Sequence, residues 1–143
     1  PDLAGMPLEE LLQNAAEWLA PVWGTNIEPI LLANFEIDDQ NRIRPRLTLA
    51  RHMQVVRALW EHKPSELYDR VHCPVLLVPA RPPALSDPAG EWLAMKERGV
   101  AKALQGLRDA QVLWLDSIHD IPLHRPAELA GAIRTFAAER VTG

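Results

Sequence analysis

Apolar residues recur along this chain with two different periods, and the change between them falls near residue 73. The first part has helical spacing. Residues 7–19 place Leu8, Leu11, Leu12, Ala15 and Leu19 on one helical face, with Pro7 suited to the first turn and Pro21 and Gly24 as the stop. Residues 25–45 are mixed: Ile30-Leu31-Leu32 reads as a short helical or extended piece, residues 38–41 as a polar turn, and residues 42–46 as extended. Leu49, Met53, Val56 and Trp60 predict a second helix over 48–61, and Pro64 opens a short one through Arg70.

From Cys73 the rhythm changes. Pro74 to Ala80 is a continuous apolar run, the pattern of a strand buried on both faces in a parallel sheet. A proline-rich loop over 81–88 leads into a helix over 89–107, with Leu93, Val100, Leu104 and Leu107 inward. Gly99 lies inside that helix at a cost of about 1 kcal/mol relative to Ala. A second strand over 111–115 precedes a closing helix over 127–139, with Leu129, Ile133, Phe136 and Ala137 on one face. The order strand, helix, strand, helix is a βαβ unit with a packing helix, so the expected fold class is α/β. Two strands alone leave both sheet edges open, so the sheet is expected to be completed by a second chain or by an N-terminal half of the same protein.

Composition narrows the possibilities. The 143 residues suffice for one domain with a core, and 48% hydrophobic with 24% charged residues is ordinary for a soluble globular protein. No apolar run approaches the roughly 20 residues of a membrane-spanning helix, so no membrane partner is expected. A net charge of −4 without a basic stripe argues against nucleic acid. The single cysteine, Cys73, excludes an internal disulfide and fits a cytoplasmic location. Beside a strand it reads as a packed, inert thiol. Neither a metal site nor a cofactor is expected, since no zinc-ligand spacing occurs and His52 and His62 do not share a helix face. The five Trp residues read as core or lid anchors, with Trp18 and Trp23 as candidates to line a pocket.

The candidate chemistry lies between the second strand and the closing helix. His119 sits on that loop, stiffened by Pro122 and Pro126, which is a way of holding an imidazole as a general base to a hydroxyl or thiol. The plainer alternative is a surface histidine bonded to Asp116 or Asp120. His124, on the same loop, is expected to be exposed. Asp87 is the nearest carboxylate after the first strand, and as part of Ser-Asp-Pro it is also a natural helix cap.

The strand Cys-Pro-Val-Leu-Leu-Val at 73–78, the following helix, the strand at 111–115, His119 with Pro126 seven residues on, and the closing helix together resemble the C-terminal half of an α/β-hydrolase. The resemblance covers residues 71–140. It implies a lid-like helical segment over residues 1–72 and a core segment over 73–143. It also implies a triad in chain order Ser, Asp or Glu, His, with the serine in a Gly-x-Ser-x-Gly elbow. None of the three serines, Ser65, Ser86 and Ser117, stands in such an elbow, which places the nucleophile upstream of this chain. His119 would be the general base. The acid would be Asp87 if the loop is long, or a carboxylate after an earlier strand outside the chain. The implied activity is hydrolysis of an ester-like bond in a small molecule. The competing expectation is a catalytically inactive interaction module that pairs through its open sheet edge with a partner or, as a homodimer, with itself.

Overall fold

The computed structural model describes residues 2–20, 22–24, 26–88 and 90–141. The chain divides into two compact units, Pro1–His62 and Lys63–Gly143. Residues 63–72 therefore belong with the strands and not with the helices before them. The reason is local: two 3₁₀ turns, Pro64–Glu66 and Tyr68–Arg70, pack on the helix Glu91–Gly106. Pro21, expected to stop the first helix, and Ala89, expected to open the helix after the first strand, lie outside the described residues.

In the first unit, α1 (Leu8–Trp18) begins directly after Pro7 and carries Glu9 and Glu10 in its first turn, where carboxylates suit the helix dipole. It buries Leu11 and Ala15. A second helix, α2 (Glu28–Leu32), settles the Ile30–Leu32 ambiguity in favour of helix. The next segment corrects the expectation of a mostly helical first part. β1 (Phe35–Ile37) and β2 (Ile43–Pro45) form an antiparallel hairpin around the polar turn, with Ile37 opposite Ile43. Asp38 makes the turn, because its Oδ1 accepts from the amides of Gln40 and Arg42 at 2.9 Å each. Asn41 takes the left-handed conformation at φ 55°. The segment before α1 extends the hairpin: the Gly5 N–H donates to Ile43 C=O and the Leu8 N–H to Asn41 C=O, both at 2.9 Å.

Thr48 caps α3 (Leu49–Glu61), its hydroxyl accepting from the Arg51 amide. The expected apolar stripe is present, but Leu49, Met53, Val56 and Trp60 are all exposed, Trp60 to 88%. Trp18 and Trp92 are likewise exposed, and Cys73 is an exposed free thiol. Trp18, Trp60 and Trp92, read as anchors, and Cys73, read as packed, thus stand at the surface, the tryptophans on helices and the cysteine in the bend before residue 75.

The second unit carries the βαβ order. β3 (Val75–Leu77) runs parallel to β5 (Ala110–Val112), and β4 (Ala80–Arg81) parallel to β6 (Leu115–Asp116). Val75 lies opposite Ala110 and Ala80 opposite Leu115, so both ladders share one offset of 35 residues and are one pair of strands. The interruption falls at Val78-Pro79, where proline has no N–H to give. Its carbonyl still serves, accepting from the Leu115 amide at 3.1 Å. Residues 75–79 are half-buried rather than buried on both faces, because among the described residues each strand has a single neighbour. Ala80, Leu115 and Ile121 form the buried core, with Val78 and Leu129 packed against it. α4 (Glu91–Gly106) links the strands, and α5 (Ile121–His124) and α6 (Pro126–Val141) close the chain. α6 is tied back to the start of β5 by Arg140, whose Nη1 lies 2.9 Å from Asp109 Oδ2. Among the described residues no helix is long and apolar enough to cross a membrane.

Two glycines of α4 respond oppositely to a side chain. A Cβ on Gly106 would stand 2.5 Å from Tyr68 Cδ2, whereas one on Gly99 meets nothing within 4 Å. Gly106→Ala is expected to lower stability by about 1–3 kcal/mol through displacement of the tyrosine. Gly99→Ala should raise it by up to about 1 kcal/mol. Urea unfolding of both variants checks the two signs.

Candidate active site

The loop after β6 is held at both ends by the core, Leu115 on one side and Ile121 on the other. Between them it makes a close set of hydrogen bonds. The Ile121 N–H donates to His119 C=O at 3.0 Å, and the amides of Leu123 and His124 donate to Asp120 C=O at 3.0 and 3.1 Å. Pro122, without an N–H, fits the first turn of α5, where no intrahelical partner is available for that group. The backbone around His119 is thus fixed, while its side chain is exposed and, among the described residues, has no hydrogen-bond partner. Neither carboxylate proposed from the sequence as its partner reaches it. Asp116 instead pairs with Arg81, 2.7 Å away on the adjacent strand, and Arg81 also lies over the Trp114 ring.

His119 lines an open, mainly apolar cavity of about 430 Å³, together with Tyr68, Lys96, Val100 and Ile121. The Lys96 ammonium is engaged with the Ala80 carbonyl at 2.8 Å.

Asp87 is elsewhere. It is 9% exposed and lines a different cavity, of about 610 Å³, with Ser117 and His124. Its carboxylate caps α4: Oδ1 accepts from the Trp92 amide at 3.2 Å and Oδ2 from the Leu93 amide at 2.9 Å. The residue at the cap position itself is Gly90, at φ 67°, which has no side chain to offer. Asp87 reaches over from three residues upstream to satisfy the second and third amides of the helix. The structure therefore brings Asp87 near His124 and Ser117, and does not join it to His119.

His124 is half-buried, against the expectation of an exposed side chain. Its Nδ1 accepts from the Ile118 amide at 3.3 Å and lies 3.1 Å from Ser117 Oγ. An amide N–H can only donate, so Nδ1 presents its lone pair and the serine hydroxyl donates to it as well. The Ser117 side chain is only 1% exposed, so this pair offers no accessible nucleophile. Ser86 is also engaged, its hydroxyl donating to the Pro83 carbonyl at 2.8 Å. The buried Ser117 and the ring of His124 are the site residues that sequence reasoning missed. Their seven-residue spacing would share a face only in one continuous helix, and Ser117 lies in the bend before α5 while His124 ends it, so periodicity could not flag the pair.

Among the described residues, no three His, Cys, Asp or Glu side chains gather as a metal site requires. In comparisons with known proteins, no family model, no curated protein and no solved structure matches the chain.

The capping geometry gives a direct expectation. Asp87→Ala leaves two helix amides without their acceptor and should cost about 1 kcal/mol of stability, with Asp87→Asn costing less. Thermal or urea unfolding of both variants measures the difference, and equal stability of all three proteins would contradict the cap.

Proposed function

We propose that this chain is the catalytic-histidine portion of a hydrolase of the α/β-hydrolase kind, acting on an ester-like bond in a small molecule. The observation that carries the reading is the state of His119. Its backbone is clamped between two buried residues at the carboxyl end of a parallel strand, and its imidazole is exposed and, among the described residues, unpaired. In open α/β sheets, ligands bind outside the carboxyl ends of the strands. A fixed loop with a free imidazole there suits a general base awaiting a proton from a nucleophile.

The nucleophile in this reading comes from residues outside this chain, since none of Ser65, Ser86 and Ser117 stands in a Gly-x-Ser-x-Gly elbow, and Ser117 is buried against His124 while Ser86 is held by Pro83. His119 would take the proton of that serine as its oxygen attacks the carbonyl carbon, then return it to the leaving alcohol. It would next take a proton from water, which hydrolyses the acyl-enzyme. The triad acid would also come from outside, because Asp87 is engaged at the end of α4. The half-buried apolar strand β3, paired on one side only among the described residues, supports a completing strand from an N-terminal half of the protein or from a second chain. The same open edge favours a second reading, an inactive module that associates through β3 with a partner or with its own copy.

In the intact protein carrying this chain, His119→Ala is expected to lower hydrolysis of a p-nitrophenyl ester by roughly 10⁴- to 10⁶-fold. Its circular dichroism and unfolding curve should stay unchanged. Turnover within a few-fold of the parent would end the assignment. An intact protein with no turnover and no labelling by a serine-directed fluorophosphonate would leave the association reading.

A further inference from the structure

We propose that His124 is a positioning residue that aims His119 through the backbone. The catalytic part of this inference rests on the hydrolase reading above, while the structural part does not. The His124 imidazole reaches back across its own loop and holds the Ile118 N–H at 3.3 Å and the Ser117 hydroxyl at 3.1 Å with one nitrogen. Ile118 directly precedes His119. On the other side, the Ile121 N–H holds the His119 carbonyl at 3.0 Å. The catalytic candidate therefore sits between two tethers, one supplied by a ring and one by the main chain.

The two tethers differ in kind. The Ile121 bond belongs to the turn that opens α5, and any residue at that position other than proline makes it. The His124 bonds depend on side-chain chemistry. They need an acceptor, at a set reach from the helix, that meets a buried hydroxyl and a backbone amide together. Removing the acceptor leaves both donors unpaired in a site where Ser117 is shut off from water. The amide preceding His119 then loses its fixed place, and the imidazole direction goes with it. Catalysis by a positioned base is sensitive to displacements of about 1 Å, which can cost on the order of 10²-fold.

The test compares the intact parent protein with His124→Phe, which keeps a ring without an acceptor, and with His124→Asn, whose amide oxygen stands close to the place of Nδ1. Hydrogen exchange at Ile118, read with selective ¹⁵N-isoleucine labelling, should accelerate by about tenfold or more in the Phe variant and return toward the parent in the Asn variant. In ester hydrolysis, kcat should fall by about 10²-fold in the Phe variant with KM little changed, and recover in the Asn variant. Unchanged exchange at Ile118 overturns the tether. Accelerated exchange with undiminished kcat overturns the positioning role. If the parent hydrolyses no ester, the hydrolase reading fails by itself. The inference is then decided by relaxation of the His119 ring, expected to become more mobile in the Phe variant and to recover in the Asn variant, with unchanged mobility overturning it. Should the Phe variant not fold, His124→Gln, whose amide oxygen stands near the place of Nε2, replaces it under the same expectations.

Discussion

Parallel pairing of residues 75–81 with residues 110–116 is the constraint on which the C-terminal unit depends. Two parallel strands cannot be joined by a tight turn, so the chain must travel away and return. Here the return is α4, and the offset of 35 residues survives a proline in the middle of the ladder. It survives because a parallel ladder uses carbonyls as well as amides, and Pro79 keeps its carbonyl. The pairing then delivers Ala80 and Leu115 to the same place, where Ile121 covers them. Everything that makes the His119 loop a defined object follows from that small cluster. The loop leaves from a buried residue and returns to one within a few positions, which leaves it little freedom.

The alternation of strand and helix after Cys73 is legible in the sequence because two short apolar runs, one bounded by Pro74 and Pro79 and the other by Asp109 and Asp116, enclose a stretch of helical period. The hairpin of the first unit was not, since Phe-Glu-Ile and Ile-Arg-Pro are three residues each, too short for a period of two to stand out. What identifies it is a side chain accepting two backbone amides at Asp38, a property of geometry and not of pattern. Burial was the least readable quantity. The spacing of Leu49, Met53, Val56 and Trp60 shows that one face of α3 is apolar, but periodicity says nothing about whether that face is covered. The same holds for Trp18, Trp92 and Cys73, whose residue types favour burial on average and whose positions do not supply it.

At the site, sequence reasoning named the loop and its histidine but could not assign partners. Asp87 is visible as an acid after a strand and equally as a helix cap, and which it is depends on where Gly90 puts the first turn of α4. The two histidines of the loop are five residues apart and have opposite environments: one exposed and, among the described residues, unpaired, the other half-buried and accepting two hydrogen bonds. Residue type and spacing do not separate them. The fold does, by turning a single helical turn, Ile121–His124, so that the second ring points back toward the strand.

The shared offset of the two ladders also sets where this protein can change length during evolution. Residues added or lost in the loops between Arg81 and Ala110 can lengthen or shorten the crossover while the strand partners still face each other. One residue inserted into either strand is different, because side chains alternate between faces along a strand. Ala80 or Leu115 would turn outward, Ile121 would lose the surface it covers, and the histidine loop would leave the sheet from the wrong face. In any related chain the loops around the helix are expected to vary in length more readily than the count of residues from Val75 to Arg81 and from Ala110 to Asp116.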